Sequence, residues 1–242
     1  MAIYVGTSGW SYEHWRGVFY PPGLPAAERL AYYARHFRTV ELNASHYHWP
    51  REARFAAWAA QVPAGFRFSV KAPRGLTHAR QLGGAALWGP RLSAGLAALG
   101  PHLGVLLIQL PPSFARDDAR LAALLEALPN WLPVAVELRH PSWHCEAVYT
   151  LLARYGAAYC VMSGAGLPCI LRRTAPFAYV RLHGPDPQWL YRGSYTEEAL
   201  RWWAACIGEW AAEGRDVFVY FNNDEAGYAV RNALRLRELL GA

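Results

Sequence analysis

The sequence predicts an α/β fold, a single (β/α)8 barrel, on three observations. Eight short apolar runs recur along the chain, segments of helical period separate most of them, and polar residues gather at the C-terminal ends of at least six. The runs are residues 3–6, 39–43, 67–71, 105–110, 134–138, 157–162, 179–183 and 217–221. Several are rich in Val, Ile, Phe and Tyr, which pack well on a pleated surface. The helical segments are 30–37, 55–62, 92–99, 121–128, 147–155, 200–212 and 229–240. Only the sixth connection, 164–176, has a weak helical pattern and is expected to hold a short turn or helix. Alternating strands and helices argue for a parallel sheet covered by helices. Eight units in 242 residues fit the lower end of the TIM-type barrel range. The rival, an open doubly wound sheet, lacks its Gly-x-Gly-x-x-Gly signature after the first run.

Composition narrows the class further. Hydrophobic residues make up 53% of the chain, enough to bury a large core and too many for a disordered protein. No shift in composition marks a boundary, so residues 1–242 read as one domain. The first residues have no basic flank before a long apolar stretch, and no run reaches the roughly 18 apolar residues of a membrane span. Cys145, Cys160, Cys169 and Cys206 form no Cys-x-x-Cys pair, so they read as reduced, buried thiols of a cytoplasmic protein. Residues 1–100 carry 11 basic groups against four acidic ones, while residues 101–242 carry 13 against 14. That asymmetry suits an anionic partner, although no dense basic run accompanies it.

Strand parity organises the polar residues, because successive side chains point to opposite faces. In Thr39-Val40-Glu41-Leu42-Asn43, the polar residues share one face. In Arg67-Phe68-Ser69-Val70-Lys71, Ser69 and Lys71 point inward while Phe68 and Val70 meet the helices. Glu137 and Arg139 share the inward parity of the fifth run, and Arg181 and His183 that of the seventh. Gln109 closes the fourth, and Asn222, Asn223 and Asp224 follow the eighth. Barrel enzymes place their chemistry at this end of the strands.

Seven segments in order also carry a family resemblance. They are Gly6-Thr7-Ser8-Gly9-Trp10, Val40-Glu41-Leu42-Asn43, Phe68-Ser69-Val70-Lys71-Ala72-Pro73, Gln109-Leu110-Pro111-Pro112-Ser113-Phe114, Glu137-Leu138-Arg139-His140-Pro141-Ser142-Trp143, Arg181-Leu182-His183-Gly184 and Phe221-Asn222-Asn223-Asp224. Together they resemble the YecE-like family, known as domain of unknown function 72, over nearly the whole chain. The resemblance implies a β/α barrel and supplies no reaction. The chain differs from the family pattern at His46 and His48, which flank Tyr47, and at Pro185.

The candidate catalytic residues are Lys71, Glu41, Glu137 and His183. Lys71 is the one lysine among 24 basic residues, at a strand end where an ammonium differs from a guanidinium by its compact, titratable charge. It suits an electrophile, general acid, phosphate anchor or Schiff-base nucleophile, or else a structural ion pair with Glu41 on the adjacent strand. Glu41 and Glu137, from opposite sides of the barrel, suit paired acid–base work on a glycosidic or similar bond, or else balance the inward cations. His183 and His78 are candidate acid–base groups. The loop at Thr7 could offer backbone N–H groups to an anion. The aromatics after it, Trp10, Tyr12, Trp15, Phe19 and Tyr20, either stack a sugar or base or pack the long loop over the barrel. Tyr47, Asn43, Gln109, Arg139, Arg181, Asn222 and Asn223 complete the expected ligand-binding set.

These features lead to an enzyme of hydrolase or lyase type, using Lys and Glu chemistry on an anionic or polar ring-bearing ligand. No cofactor is expected. A divalent metal, held by Glu41, Glu137, His183 and Asp224, is disfavoured because inward Lys and Arg would repel it. The alternatives are a nucleic-acid-binding or nuclease-like barrel and a non-catalytic ligand-binding barrel. Oligomeric state is left open.

Overall fold

The computed structural model describes residues 1–241. Its strands are β1 (Ile3–Thr7), β2 (Thr39–Leu42), β3 (Arg67–Lys71), β4 (Leu103–Leu110), β5 (Val134–Leu138), β6 (Ala158–Ser163), β7 (Phe177–Leu182) and β8 (Asp216–Phe221). Between them run α1 (Arg29–His36), α2 (Ala44–Tyr47), α3 (Glu52–Ala59), α4 (Ala85–Ala97), α5 (Asp118–Ala127), α6 (Glu146–Arg154) and α7 (Glu197–Ala212), with α8 (Tyr228–Leu240) last. All ladders are parallel, in the order β1-β8-β7-β6-β5-β4-β3-β2. The chain is therefore the expected (β/α)8 barrel, nearly closed, and the connection between β6 and β7 holds no helix. Helix α4 starts seven residues before the predicted segment and runs through Pro90, which lies past its first turn and so leaves the Ala86 carbonyl without its intrahelical N–H partner. No described helix is long and apolar enough to cross a membrane.

The two faces of the strands build two cores. Outward residues such as Val40, Phe68, Val70, Ile108, Val136 and Val180 pack under the helices. Inward residues fill the barrel, among them Val105, Leu107, Ala135, Cys160, Met162, Tyr179 and Tyr220, with Tyr4 stacked on Phe218 at 4.8 Å. The Tyr220 hydroxyl donates to Ser69 Oγ at 2.8 Å and lies 2.6 Å from Thr39 Oγ1. The interior is thus a packed plug on which the mouth rests.

Closure between β1 and β2 is made by a side chain. Ser8 and Glu41 form an isolated bridge, with the Gly9 amide donating to the Glu41 carbonyl at 2.8 Å. Below it the Thr7 amide donates to the Tyr33 hydroxyl at 3.0 Å, and that hydroxyl donates to the Thr39 carbonyl at 3.1 Å. Tyr33, fully buried on α1, therefore replaces a missing ladder bond. Gly6 permits the close approach: a Cβ there would lie 2.3 Å from the Thr39 carbonyl oxygen. Of the cysteines, only Cys160 is buried as expected; Cys145 and Cys206 are half-buried and Cys169 is exposed, because they lie on helices and loops outside the barrel.

Candidate functional site

At the C-terminal mouth, Arg181 reaches across the barrel from β7 and joins the two carboxylates. Its Nε and NH2 grip both oxygens of Glu41 at 3.0 and 2.7 Å, and its NH1 donates to Glu137 Oε2 at 2.5 Å. All three side chains are fully buried. Glu41 also accepts from the Tyr179 hydroxyl at 2.7 Å and from Ser8 Oγ. Glu137 Oε1 accepts from Gln109 Nε2 at 2.5 Å and Arg139 Nε at 2.6 Å. Burial alone would raise both carboxyls, but the Arg181 charge and these bonds outweigh it and hold both below the usual carboxylate range. Both stay ionised, with their lone pairs taken.

That arrangement favours, of the two readings of Glu41 and Glu137, balance of the inward cations over paired acid–base work. A general acid needs a raised pKa and a free proton-transfer path, and neither carboxylate has them. They orient Arg181, Arg139 and Ser8. His183 is likewise fully buried: its Nδ1 lies 3.2 Å from Asn222 Nδ2, and its Nε2 3.5 Å from Glu137 Oε2. Burial pushes its pKa down to about 4, against the opposing pull of Glu137, so it is neutral at pH 7.

Lys71 behaves differently from every other cation of the cluster. The expected ion pair with Glu41 is not formed, and strand register explains why. Glu41 is opposite Ser69, so Lys71 lies one inward layer nearer the mouth, while Arg181 has taken the carboxylate. Among the described residues the Lys71 ammonium makes no hydrogen bond and no ion pair. Burial, reinforced by the Arg181 charge, lowers its pKa from 10.5 to about 8, with Glu137 and Glu41 opposing. Lys71, Arg139 and Arg181 face the two bridging carboxylates, and Asp224 and Glu225 line the cavity in front of Lys71 without bonding to it.

Lys71 lines a cavity of about 360 Å³ at the mouth. Tyr12, Tyr47 and Tyr191 supply its rings, and Asn43, Asn222, Asp224 and Glu225 its polar groups. The Tyr12 hydroxyl donates to the Ser8 carbonyl at 2.5 Å, and Asn43 Nδ2 to Ser8 Oγ at 2.8 Å. Tyr191 is held in a left-handed conformation, φ 72°, with its hydroxyl 3.2 Å from both terminal nitrogens of Arg139. Such backbone strain in a non-glycine residue collects where a site fixes geometry. Asp224 accepts from Trp15 Nε1 at 2.7 Å and lies 3.0 Å from His14. Burial raises its pKa to about 6, with Trp15 and His14 opposing. His78 does not line this cavity; its ring is 5.0 Å from that of His46, and burial and the Lys71 charge lower its pKa.

Three expected ligand contacts are structural instead. Thr7 faces outward, its hydroxyl 2.9 Å from Tyr33, because Tyr4, Gly6 and Ser8 hold the inward parity of β1. Trp10 packs edge-on against Trp58 at 5.7 Å. Asn223 is buried, donating to the Gly193 carbonyl and to Asn232. Trp15 and Tyr20 pack the first loop, leaving Tyr12 alone of those aromatics in the mouth cavity. Among the described residues no three of His, Cys, Asp or Glu come together as metal ligands; Arg181 occupies the space between the carboxylates. Tyr191 and Glu225 line the mouth and are absent from the expected set, Asp224 belongs only to the disfavoured metal set, and Ser8 lies beneath, donating to Glu41. Extending β1 by parity would have found Ser8.

Fold and site define a single β/α barrel whose mouth carries a buried Glu–Arg–Glu bridge beside one unpaired lysine. The chain belongs to the family described as Protein of unknown function DUF72, whose model matches residues 4–242. It is 30% identical to the UPF0759 protein YunF of Bacillus subtilis (strain 168), over 98% of this chain and 94% of that protein. It is 31% identical to the UPF0759 protein YecE of Escherichia coli (strain K12), over 58% of this chain and 50% of that protein. The crystal structure of a DUF72 family protein from Thermotoga maritima MSB8 superposes with a TM-score of 0.91, at 32% identity, covering 100% of both chains.

Proposed function

We propose that the protein is an enzyme of hydrolase or lyase type that takes a small anionic or polar ring-bearing ligand into the barrel mouth. The observation that carries the reading is Lys71: a half-buried ammonium with no hydrogen-bond or ion-pair partner among the described residues, beside a cavity. Leaving a buried charge unpaired costs stability, so its retention fits a group whose partner arrives with the ligand. A pKa of about 8 keeps Lys71 mostly protonated at pH 7 with a free-amine fraction within reach. Asp224, at about 6, is mostly ionised there and lines the same cavity. Two groups on either side of neutrality provide a base and an acid without drawing on the locked carboxylates. In this reading Lys71 anchors the anionic group or gives the leaving group its proton, and Asp224 accepts one. Arg181, Glu41, Glu137 and His183 set the field around them. No cofactor enters the scheme.

The test is a ligand panel of sugar phosphates, aryl phosphates and hydroxy acids, read by thermal shift and product detection. Wild type should respond, Lys71→Met should not, and Lys71→Arg should fail too because a planar fork replaces a compact ammonium. Turnover should follow a bell-shaped pH profile between about 6 and 8. Equal ligand responses in the three proteins would overturn the reading. Ligand binding without turnover would reduce it to a binding barrel. Salt-sensitive polynucleotide binding with no small-ligand response would replace it.

A further inference from the structure

A second concavity opens beside the mouth, between α2 and α3 and the loop joining them. It measures about 850 Å³ and is walled by Tyr47, Trp49, Pro50 and Trp58, with Ala53 and Ala57 among its lining. Ala53 and Ala57 lie one turn apart on α3 and are both exposed, so they present a methyl-only floor. Tyr47 is 73% exposed and lines both this groove and the mouth cavity, so the two adjoin at that ring. No carboxylate lines the groove. Arg51 and Arg54 frame it without an ion pair among the described residues, and Arg54 sits 5.9 Å from the centre of the Trp58 ring.

We infer that the site is bipartite: the mouth takes the anionic head of the ligand, and the groove takes a planar, uncharged or acidic ring attached to it. The inference rests on the mouth reading above and names its substrate class, an aryl-bearing acid or ester. A flat floor and aromatic walls select a planar ring by stacking, which offers area at little conformational cost. The two arginines reject a cationic ring and favour an electron-rich one. Tyr47 is the hinge between the halves, so head and ring bind on its two sides. A small acid without the ring fills only the mouth.

The probes are inorganic phosphate for the head, 1-naphthol for the ring and 1-naphthyl phosphate for both, measured by calorimetry. Wild type should bind 1-naphthyl phosphate at least tenfold more tightly than phosphate. Ala57→Trp, an exposed change that fills the groove, should bring that ratio close to one and leave phosphate affinity unaltered; Ala53→Trp is the independent second variant. Lys71→Met should lose phosphate and keep 1-naphthol. An unchanged ratio in both tryptophan variants overturns the groove and leaves the mouth reading standing. Phosphate binding that survives Lys71→Met overturns the mouth reading, while loss of 1-naphthol in Ala57→Trp still supports the groove. Failure of wild type to bind 1-naphthol and 1-naphthyl phosphate at millimolar concentration overturns the inference. So does a dimer in sedimentation that Ala57→Trp dissociates, which would make the groove a contact between copies.

Discussion

Replacing Arg181 by Met is the sharpest test of how the mouth is held. Glu137 would keep Arg139 and Gln109, but Glu41 would lose the cation bonded to it and, among the described residues, retain the bonds from Ser8 and Tyr179. The cost therefore falls mainly on one fully buried carboxylate. Removing one partner of a buried pair costs about 3–5 kcal/mol, because the other charge is left uncompensated. Whole domains are stable by only about 5–15 kcal/mol, so the loss is a large share. At about 2–4 °C per kcal/mol for a chain of this size, the melting temperature should fall by about 6–20 °C. Urea unfolding with unchanged m-value gives the free energy directly. Adding Glu41→Gln to Arg181→Met should restore part of the loss, since the orphan charge is gone; adding Glu137→Gln should restore less. A loss below about 1 kcal/mol, or no recovery with Glu41→Gln, would refute the bridge as the keystone of the mouth.

Lys71→Met should raise the melting temperature at pH 7. The folded pKa of Lys71 lies below its unfolded value, so its charge opposes folding at low pH, and the gain should shrink as pH rises from about 8 to 10.5. His183 is neutral when folded, with a pKa of about 4 against 6.5. The unfolded chain binds the extra proton, so stability should fall between pH 6.5 and 4 by up to about 1.4 kcal/mol per pH unit, and His183→Gln should flatten that slope in urea titrations. Tyr33→Phe strips the hydroxyl from the β1–β2 seam and leaves the Thr7 amide and Thr39 carbonyl unpaired. That should cost about 1–3 kcal/mol, and hydrogen exchange at the Thr7 amide should quicken while β4 and β5 amides keep their protection.

Much of the barrel was legible because its signals are local. Apolar runs such as Val134-Ala135-Val136 and Tyr179-Val180 mark strands, and parity alone places Glu137, Arg139, Arg181 and Lys71 inside. Stagger was not legible. Lys71 and Glu41 both end adjacent strands, yet the β2–β3 register offsets them by a layer, and that depends on closure around the whole barrel. Nor could the sequence show that Arg181 spans the mouth, since reach across a barrel depends on the bulk of facing residues. Parity in fact continues past the end of β8: Phe218, Tyr220 and Asn222 face inward, while Asn223 turns to the α8 side through Asn232, so alternation alone separates the two asparagines. Tyr191 entered through a left-handed residue that no turn signal marks.

On the proposed reading Lys71 is an unpaired, partly desolvated ammonium whose partner arrives with the ligand. Because it is the one lysine of the chain, lysine labelled with ¹³C at Cε gives a single resonance with no assignment needed. Titrated by NMR in the ligand-free protein, that resonance should move with a midpoint near 8. It should move to higher pH when an anionic ligand supplies the missing charge. A midpoint at or above the ordinary value of 10.5 would mean that Lys71 is solvated or already paired, and would contradict the account.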